Sequence, residues 1–319
     1  MAMGYRKIIL WSSVGLMAGL GTGLFAGEAA PSGQTGAGNV VFKDEPQARA
    51  LFDQMMEALR RPQTLSYKSE CRTAAQGQET ERGTYVVWLK KPNQFRVEAA
   101  RPDGRQGGTL IGDGESLWIF WPGDRPRFVS TDQEYEKTRS KVYMKEATPL
   151  AKHSIAHKVG NLGVPASGLI IDPSTFHGYS DSLMPYFDGA TGMGTDKVAD
   201  EDCDVIEASF MKHQRSWYLW LSQKDHLPRK VKEVVRVSYE IISHETWSDI
   251  VIDGAIPADR FVWTPPEGWQ QWKMPDPEEL LLKPGTAAPD FELTALDGRK
   301  IKLSDFRDKI VWLYVWRAG

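Results

Sequence analysis

The feature that most constrains this chain is a long stretch in which apolar and polar side chains alternate with a period of two. In TLSYKSECRTA, Leu65, Tyr67 and Cys71 share one face, and the charged Lys68 and Glu70 fall on the other. This alternation is typical of a half-buried β-strand. Similar segments continue to residue 120, separated by turn signals at residues 91–93, 102–104 and 112–114. We therefore predict an antiparallel meander with one face against a core or a ligand and the other in water.

The segments around this meander complete one α+β domain over residues 44–273. Before it, residues 44–62 carry a single apolar stripe at helical spacing, with Asp44 as the predicted cap, Pro46 in the first turn and Pro62 at the end. After it, residues 131–197 contain helical stretches, and further strand patterns follow from residue 203. The predicted order is helix, strand meander, helical insertion and second strand meander.

The N-terminus predicts export. Arg6 and Lys7 precede an uncharged apolar run over residues 8–26, and small residues follow up to residue 30. This is the layout of a secretory signal, which we assign to residues 1–30, followed by a spacer at residues 31–43. The apolar run is also long enough to stay in the inner membrane as an anchor, so membrane contact through it is the alternative to cleavage. Either way, the rest of the chain is expected in the periplasm or cell envelope.

Export bears on the two cysteines, because an oxidising compartment permits a disulfide. Cys71 and Cys203 both fall in predicted strands, far apart in the sequence. They either pair or remain two separate buried thiols.

The remaining motifs favour a binding protein. The formal net charge is −3 and no basic block is present, so nucleic acid is not an expected partner. His153 and His157 have the i, i+4 spacing of zinc ligands, but no third ligand accompanies them, and we predict no metal site. No nucleotide or hydrolase fingerprint occurs outside the apolar run, and no cofactor is expected.

Several phrases of this domain resemble a family of exported bacterial proteins related to the outer-membrane lipoprotein carrier LolA. In order they are ALFDQMMEAL, LSYKSE, KKPNQFRVE, LIGDGESLWIF, HLPRKVKE and TWSDIVIDGAIPADRFVWTPPEGW. The resemblance implies a curved antiparallel half-barrel whose mouth is closed by helices over an apolar cavity that binds a lipid or acyl chain. Lipoprotein shuttling itself is not implied.

Within such a cavity, apolar side chains of the meanders are the expected lining. The alternative is that they form plain core, filled by side chains of the insertion. The candidates are Tyr67, Val86, Trp88, Phe95, Val97, Leu117, Ile119, Trp217, Leu219 and Leu221.

The end of the chain has a different character. Residues 274–289 read as a proline-rich linker, and residues 285–311 resemble the start of a thioredoxin-fold redoxin domain of the peroxiredoxin (AhpC/TSA) and TlpA-like type. The matching phrases are GTAAPDFEL, LDG, LSD and KIV. The resemblance implies that residues 290–319 are an incomplete domain, with a central strand over residues 310–316 and catalytic cysteines beyond Gly319. We expect a truncated chain.

Three functions stay open at this stage. The domain binds an apolar ligand or an envelope protein partner; or the native chain extends past Gly319 and is a thiol-disulfide oxidoreductase or peroxiredoxin-type antioxidant enzyme; or the protein is structural and takes no ligand. Whether it is an enzyme is left open, because this chain carries no catalytic residues of the redoxin type.

Overall fold

The computed structural model describes residues 43–128, 130–146, 155–164, 168–179, 183–236, 239–276, 281–295 and 297–312. The chain divides into a unit of Ala37–Met274 and a unit of Met1–Gly36 with Pro275–Gly319. The predicted signal, most of the spacer, His153 and residues 313–319 lie outside the described residues.

The first unit opens with helix α1, Pro46–Arg60, whose apolar stripe is buried. Pro46 suits the first turn because its missing N–H needs no acceptor there. The predicted cap is corrected by the structure: the N-cap residue is Glu45, and it makes no side-chain cap. The Asp44 carboxylate instead accepts a hydrogen bond from Ala190 N at 2.9 Å and so ties the start of the helix to a distant strand.

The predicted meander forms five strands with short turns. The elements are β1 Thr64–Ala75, β2 Gln78–Lys90, β3 Gln94–Ala100, β4 Gln106–Asp113 and β5 Leu117–Phe120.

The region predicted as a helical insertion is less helical than expected. It contains α2 Asp132–Thr138, β6 Val142–Glu146, α3 Ile155–Val159, short 3₁₀ turns, and the first residues of β7 Phe187–Val198. The later strands are β8 Glu201–Phe210, β9 Arg215–Ser222, β10 Pro228–Arg236, β11 Glu240–Ile252 and β12 Gln270–Gln271.

All these strands join one curved sheet in the order β12-β6-β5-β4-β3-β2-β1-β11-β10-β9-β8-β7. Its pairings are antiparallel except for β12 with β6. The pairing of β1 with β11 joins the two meanders, because it brings the first strand against a strand some 170 residues later. The predicted curved, mostly antiparallel sheet is confirmed.

The two faces of the sheet have different covers. The inner face, defined here as the face that carries Tyr67, packs against the apolar stripe of α1 and against residues of the insertion. The outer face of β3–β6 is covered by the segment that follows β11. In this segment Phe261 is buried, and Trp263 stacks on Phe120 with ring centroids 4.2 Å apart. The inner face is therefore the larger core.

The C-terminal unit has its own small structure. Strands β13 Glu292–Thr294 and β14 Lys300–Lys302 form an antiparallel hairpin, and a 3₁₀ turn spans Leu303–Phe306. Of the predicted strand at residues 310–316, Ile310–Trp312 are not in a strand, and the rest lies outside the described residues.

Candidate ligand-binding face

A cross-strand row of apolar side chains runs across the inner face of the first meander. The register places Tyr67 opposite Val87, Val87 opposite Val97, and so on to Met144. Such a row forms because paired residues on neighbouring strands point to the same face. All six side chains are buried. The row consists of Tyr67, Val87, Val97, Leu110, Ile119 and Met144.

Most of the predicted lining residues lie on this inner face and are buried. Phe95 and Leu117 belong to the neighbouring row, opposite Leu89 and Gly112. On the second meander the register brings Trp217 and Leu219 opposite Ala208 and Ile206. The eight that share the inner face are Tyr67, Phe95, Val97, Leu117, Ile119, Trp217, Leu219 and Leu221.

The prediction is corrected for Val86 and Trp88, which are half-buried on the outer face. Val87, not Val86, pairs with Tyr67, and a shift of one residue moves a side chain to the opposite face. Trp88 lies beneath the Arg260 guanidinium, 4.6 Å from the ring centroid, and helps to line a small outer cavity of about 220 Å³.

The inner face is covered by two described stretches of the insertion, residues 155–164 and 168–179, which we call the cover. Its apolar side chains are buried against the sheet. The cover fills the space in front of the predicted lining residues. The structure therefore favours the expectation that they form plain core, filled by side chains of the insertion, over the expectation of a cavity. The side chains of the cover that belong to the buried apolar core are Ile155, Val159, Leu162, Val164, Leu169, Ile171 and Phe176.

Two glycines of the sheet let the cover approach the strands closely. A Cβ added at Gly83 would lie 2.2 Å from Val164 Cγ1, and one at Gly108 would lie 3.0 Å from Leu162 Cα. A Cβ at Gly83 would force Val164 to move, and one at Gly108 would press on Trp121 and on the Leu162 backbone, so a larger residue at either site is unfavourable. The sheet is thus shaped to receive the cover backbone.

The cover is fastened to the sheet by a buried carboxylate. Glu245 on β11 is fully buried, and its Oε2 accepts hydrogen bonds from Ile170 N at 2.6 Å and Ile171 N at 3.3 Å. Its Oε1 accepts from Ser69 Oγ at 2.9 Å and Trp247 Nε1 at 2.7 Å. We refer to this set as the Glu245 latch. The sequence analysis did not predict this set. The available signal was a charged residue two positions before Trp247 in a predicted strand, and therefore on the same face as that tryptophan.

Burial governs the ionisation of the groups around this latch. Loss of hydration raises the pKa of Glu245, although its four donors act in the opposite direction. Burial, followed by the negative charge of Glu245, raises the pKa of Tyr67 well above its usual value. The Tyr67 ring stacks on Trp247 with centroids 3.8 Å apart. Its hydroxyl is buried and has no hydrogen-bond partner among the described residues.

More exposed polar contacts also connect the cover to the sheet. Lys158 Nζ donates to the Glu146 carboxylate at 2.7 Å, at the far edge of the sheet from the Glu245 latch. Trp121 Nε1 donates to Asn161 O at 2.9 Å. The Lys158–Glu146 ion pair is partly exposed and contributes little, whereas Trp121 is buried. Burial of the apolar side chains, the Glu245 latch and the Trp121 hydrogen bond therefore hold the cover.

The two cysteines do not pair. Both are free and buried. Cys71 lies on β1 and Cys203 on β8, and strands β11, β10 and β9 lie between them. A disulfide needs Cα atoms about 4.4–6.8 Å apart, roughly one strand spacing. The prediction of a disulfide is therefore replaced by its alternative of two separate buried thiols.

Among the residues that the structure describes, no group of three or more His, Cys, Asp or Glu side chains is arranged to hold a metal ion. Within the same residues, no helix has the length and apolar character needed to cross a membrane.

Comparison with known proteins agrees with the sequence resemblance over part of the domain. Residues 135–273 match a family described as "Predicted periplasmic protein (DUF2092)". A stretch of 50 residues is 40% identical to the outer-membrane lipoprotein carrier protein of Pectobacterium carotovorum subsp. carotovorum (strain PC1). That stretch covers 16% of this chain and 23% of the carrier.

Two solved structures of bacterial proteins are among those that match this chain. The LolA superfamily protein NE2245 from Nitrosomonas europaea is 15% identical, with a TM-score of 0.32 over 68% of this chain and 97% of that one. The Mycobacterium tuberculosis lipoprotein LppX is 11% identical, with a TM-score of 0.39 over 68% of this chain and 100% of that one. Residues 135–273 are thus similar to a predicted periplasmic family, and a stretch of 50 residues is similar to a lipoprotein carrier.

Proposed function

We propose that this domain binds the acyl chain of a lipid on its inner face, in the space that the cover occupies in this structure. The observation that supports the proposal is the buried apolar row from Tyr67 to Met144, which belongs to the same core as the apolar side chains of the cover. An apolar chain can replace the apolar side chains of the cover because the hydrophobic effect is not directional. The similarity to a lipoprotein carrier points to the same class of ligand.

The Tyr67 hydroxyl gives the ligand a polar contact within this apolar surface. A buried hydroxyl without a partner is unfavourable by about 1–3 kcal/mol. A carboxyl or ester oxygen of a bound lipid would accept a hydrogen bond from this hydroxyl and remove that cost. We propose that the polar end of the acyl chain lies at Tyr67, beside the Glu245 latch.

A disulfide between cover and sheet tests whether the cover must move. In Gly83→Cys/Val164→Cys the two Cβ atoms would lie 3.6 Å apart, within the range that disulfides adopt. Cys71 is opposite Gly83 in the register, so the pair is built in a Cys71→Ala background to prevent a competing bridge. Binding of a fluorescent palmitic acid analogue should be lost in the oxidised protein and return after reduction.

The two single-cysteine variants in the same background are the matched controls, and both should bind with and without reductant. Equal binding by the oxidised and reduced double variant would refute the role of the cover. Absence of binding in every variant, together with no lipid extracted from the wild type, would favour a structural or interaction protein with no ligand.

Tyr67→Phe tests the polar contact separately. Because the hydroxyl has no partner among the described residues, its removal should leave the free energy of unfolding unchanged or slightly increased. The affinity for the fatty acid should fall about fivefold, equivalent to about 1 kcal/mol. A loss of stability with unchanged affinity would show that the hydroxyl serves the fold instead.

The proposal includes a cellular location, whereas the domain boundaries stay predictions. We place the protein in the periplasm, in keeping with the predicted periplasmic family that residues 135–273 match. Anchoring by residues 8–26 and the boundaries at residues 30, 43, 273 and 289 stay predictions, as does an envelope protein partner.

The redoxin assignment of residues 290–319 also stays a prediction from the sequence. Both cysteines of the chain lie in the curved-sheet domain, and residues 281–312 supply a hairpin without a thiol. A thiol-disulfide exchange step needs a thiolate, which these residues do not supply.

A further inference from the structure

The outer face of the sheet carries a cluster of positive charges at the junction of the two meanders. The register places Lys232 on β10 opposite His244 on β11, and His244 opposite Arg72 on β1. Lys230 lies on the same face, one row away. We call Arg72, Lys230, Lys232 and His244 the basic patch.

The three permanent charges of the basic patch have no ion-pair partner among the described residues. Two carboxylates on this face have other hydrogen-bond partners: Glu70 pairs with Lys68 at 3.1 Å, and Asp196 accepts from Trp220 Nε1 at 2.9 Å. Arg72 and the two lysines lie on either side of β11, and burial followed by their charges lowers the pKa of His244 between them. An anionic partner would reduce the mutual repulsion of these cations.

Two half-buried aromatic rings border the patch on β9. Lys230 Nζ lies 4.3 Å from the ring centroid of Trp220, and Lys232 Nζ lies 5.2 Å from that of Tyr218. His244 Nδ1 is buried and has no hydrogen-bond partner among the described residues. The face therefore offers cations and amphipathic rings side by side.

We propose that the basic patch docks this domain onto a bilayer surface of anionic phospholipids. Lysine and arginine near such a surface are attracted to the phosphate groups, and tryptophan and tyrosine are the rings preferred at headgroup depth. An acidic polypeptide would pair with the cations but gives no comparable reason for the two rings beside the lysines. The assignment goes beyond lipid binding on the inner face and does not depend on it.

Lysine acetylation followed by mass spectrometry tests the docking on the full chain. Vesicles of phosphatidylcholine with phosphatidylglycerol should slow acetylation of Lys230 and Lys232, whereas vesicles of phosphatidylcholine alone should not. Lys43 and Lys137, which are exposed elsewhere, should react equally with both. Because the readout is specific to each lysine, insertion of the apolar N-terminal segment into either vesicle does not imitate the result.

The variant Arg72→Gln should raise the vesicle concentration for half-protection about fivefold, as expected for the loss of one basic residue near an anionic membrane. Arg61→Gln, which removes an exposed charge after α1, is the matched control and should not change it. Equal protection by both vesicle types, or an unchanged midpoint in Arg72→Gln, would overturn the proposal. Stronger protection by polyglutamate than by phosphatidylglycerol would assign the patch to an acidic protein instead.

Discussion

The Glu245 latch makes a quantitative prediction for the substitution Glu245→Gln. The side chain keeps its size, but one carboxylate oxygen becomes an NH₂ group. All four neighbours of Glu245 donate: Ser69 Oγ, Trp247 Nε1, and the backbone N–H groups of Ile170 and Ile171. The amide nitrogen therefore faces two donors whichever way it is turned. Ser69 can rotate its hydroxyl to accept, but an indole or backbone N–H cannot.

The magnitude follows from these lost acceptors. If the amide nitrogen faces the cover, two buried N–H groups lose their partner at about 1–3 kcal/mol each. If it faces Ser69 and Trp247, only the indole N–H of Trp247 loses its partner. Glutamine also removes the unfavourable burial of a charge, which the raised pKa of Glu245 reveals, and this offsets part of the loss. Because the amide adopts the less costly orientation, we expect a net destabilisation of about 1–2 kcal/mol, or roughly 2–8 °C in Tm for a domain of this size.

Hydrogen exchange and urea unfolding measure this prediction. Exchange should accelerate most at the amides of Ile170 and Ile171, and the unfolding midpoint should fall. Glu57→Gln, an exposed change on α1, is the control and should alter stability by less than about 0.5 kcal/mol. Unchanged exchange at both amides with wild-type stability would show that Glu245 does not hold the cover.

Three further predictions test the same domain. Because the pKa of Glu245 is raised above 4.5, the protein gains a proton there on folding. The stability of the wild type relative to Glu245→Gln should therefore increase as the pH falls through the raised pKa toward 4.5, measured by urea unfolding at several pH values. Phe176→Ala removes a ring that is 1% exposed and should lower stability by about 3–5 kcal/mol; a loss below 1 kcal/mol would mean that the cover packs loosely. Burial raises the pKa of both thiols, so Cys71 and Cys203 should react with a thiol reagent after unfolding without prior reduction and not in the native protein; rapid native labelling would contradict their burial.

The sequence predicted the parts of the fold that depend on local pattern. The stripe of α1 and the strict alternation of β1 appear in the structure nearly as expected, since each residue's environment repeats with the period of its element. The pattern failed on β2, where Tyr85, Val86, Val87, Trp88 and Leu89 are apolar on both faces. Only pairing with β1 decides which set points inward there.

Strand β7 shows a different limit. Its sequence FDGATGMGTDKV has three glycines and two aspartates, residue types that are depleted in strands. It is ordered by distant partners: Glu45 accepts a hydrogen bond from Gly192 N at 3.0 Å, and Asp44 accepts one from Ala190 N. Such tertiary contacts leave no signal in the local sequence. For the Glu245 latch the sequence shows the charge in a strand but not its partners on β1 and the cover.

Strands β1 and β11 connect the inner face with the basic patch, because successive residues point to opposite faces. On β11, Glu245 holds the cover on the inside while His244 lies in the basic patch outside; on β1, Cys71 and Arg72 alternate in the same way. Tyr67→Phe and Arg72→Gln therefore alter opposite faces of one strand and should act independently. If lipid enters the inner face from a bilayer to which the patch is docked, Arg72→Gln should slow transfer from anionic vesicles without changing the affinity for free fatty acid. Tyr67→Phe should weaken that affinity without changing the acetylation of Lys230.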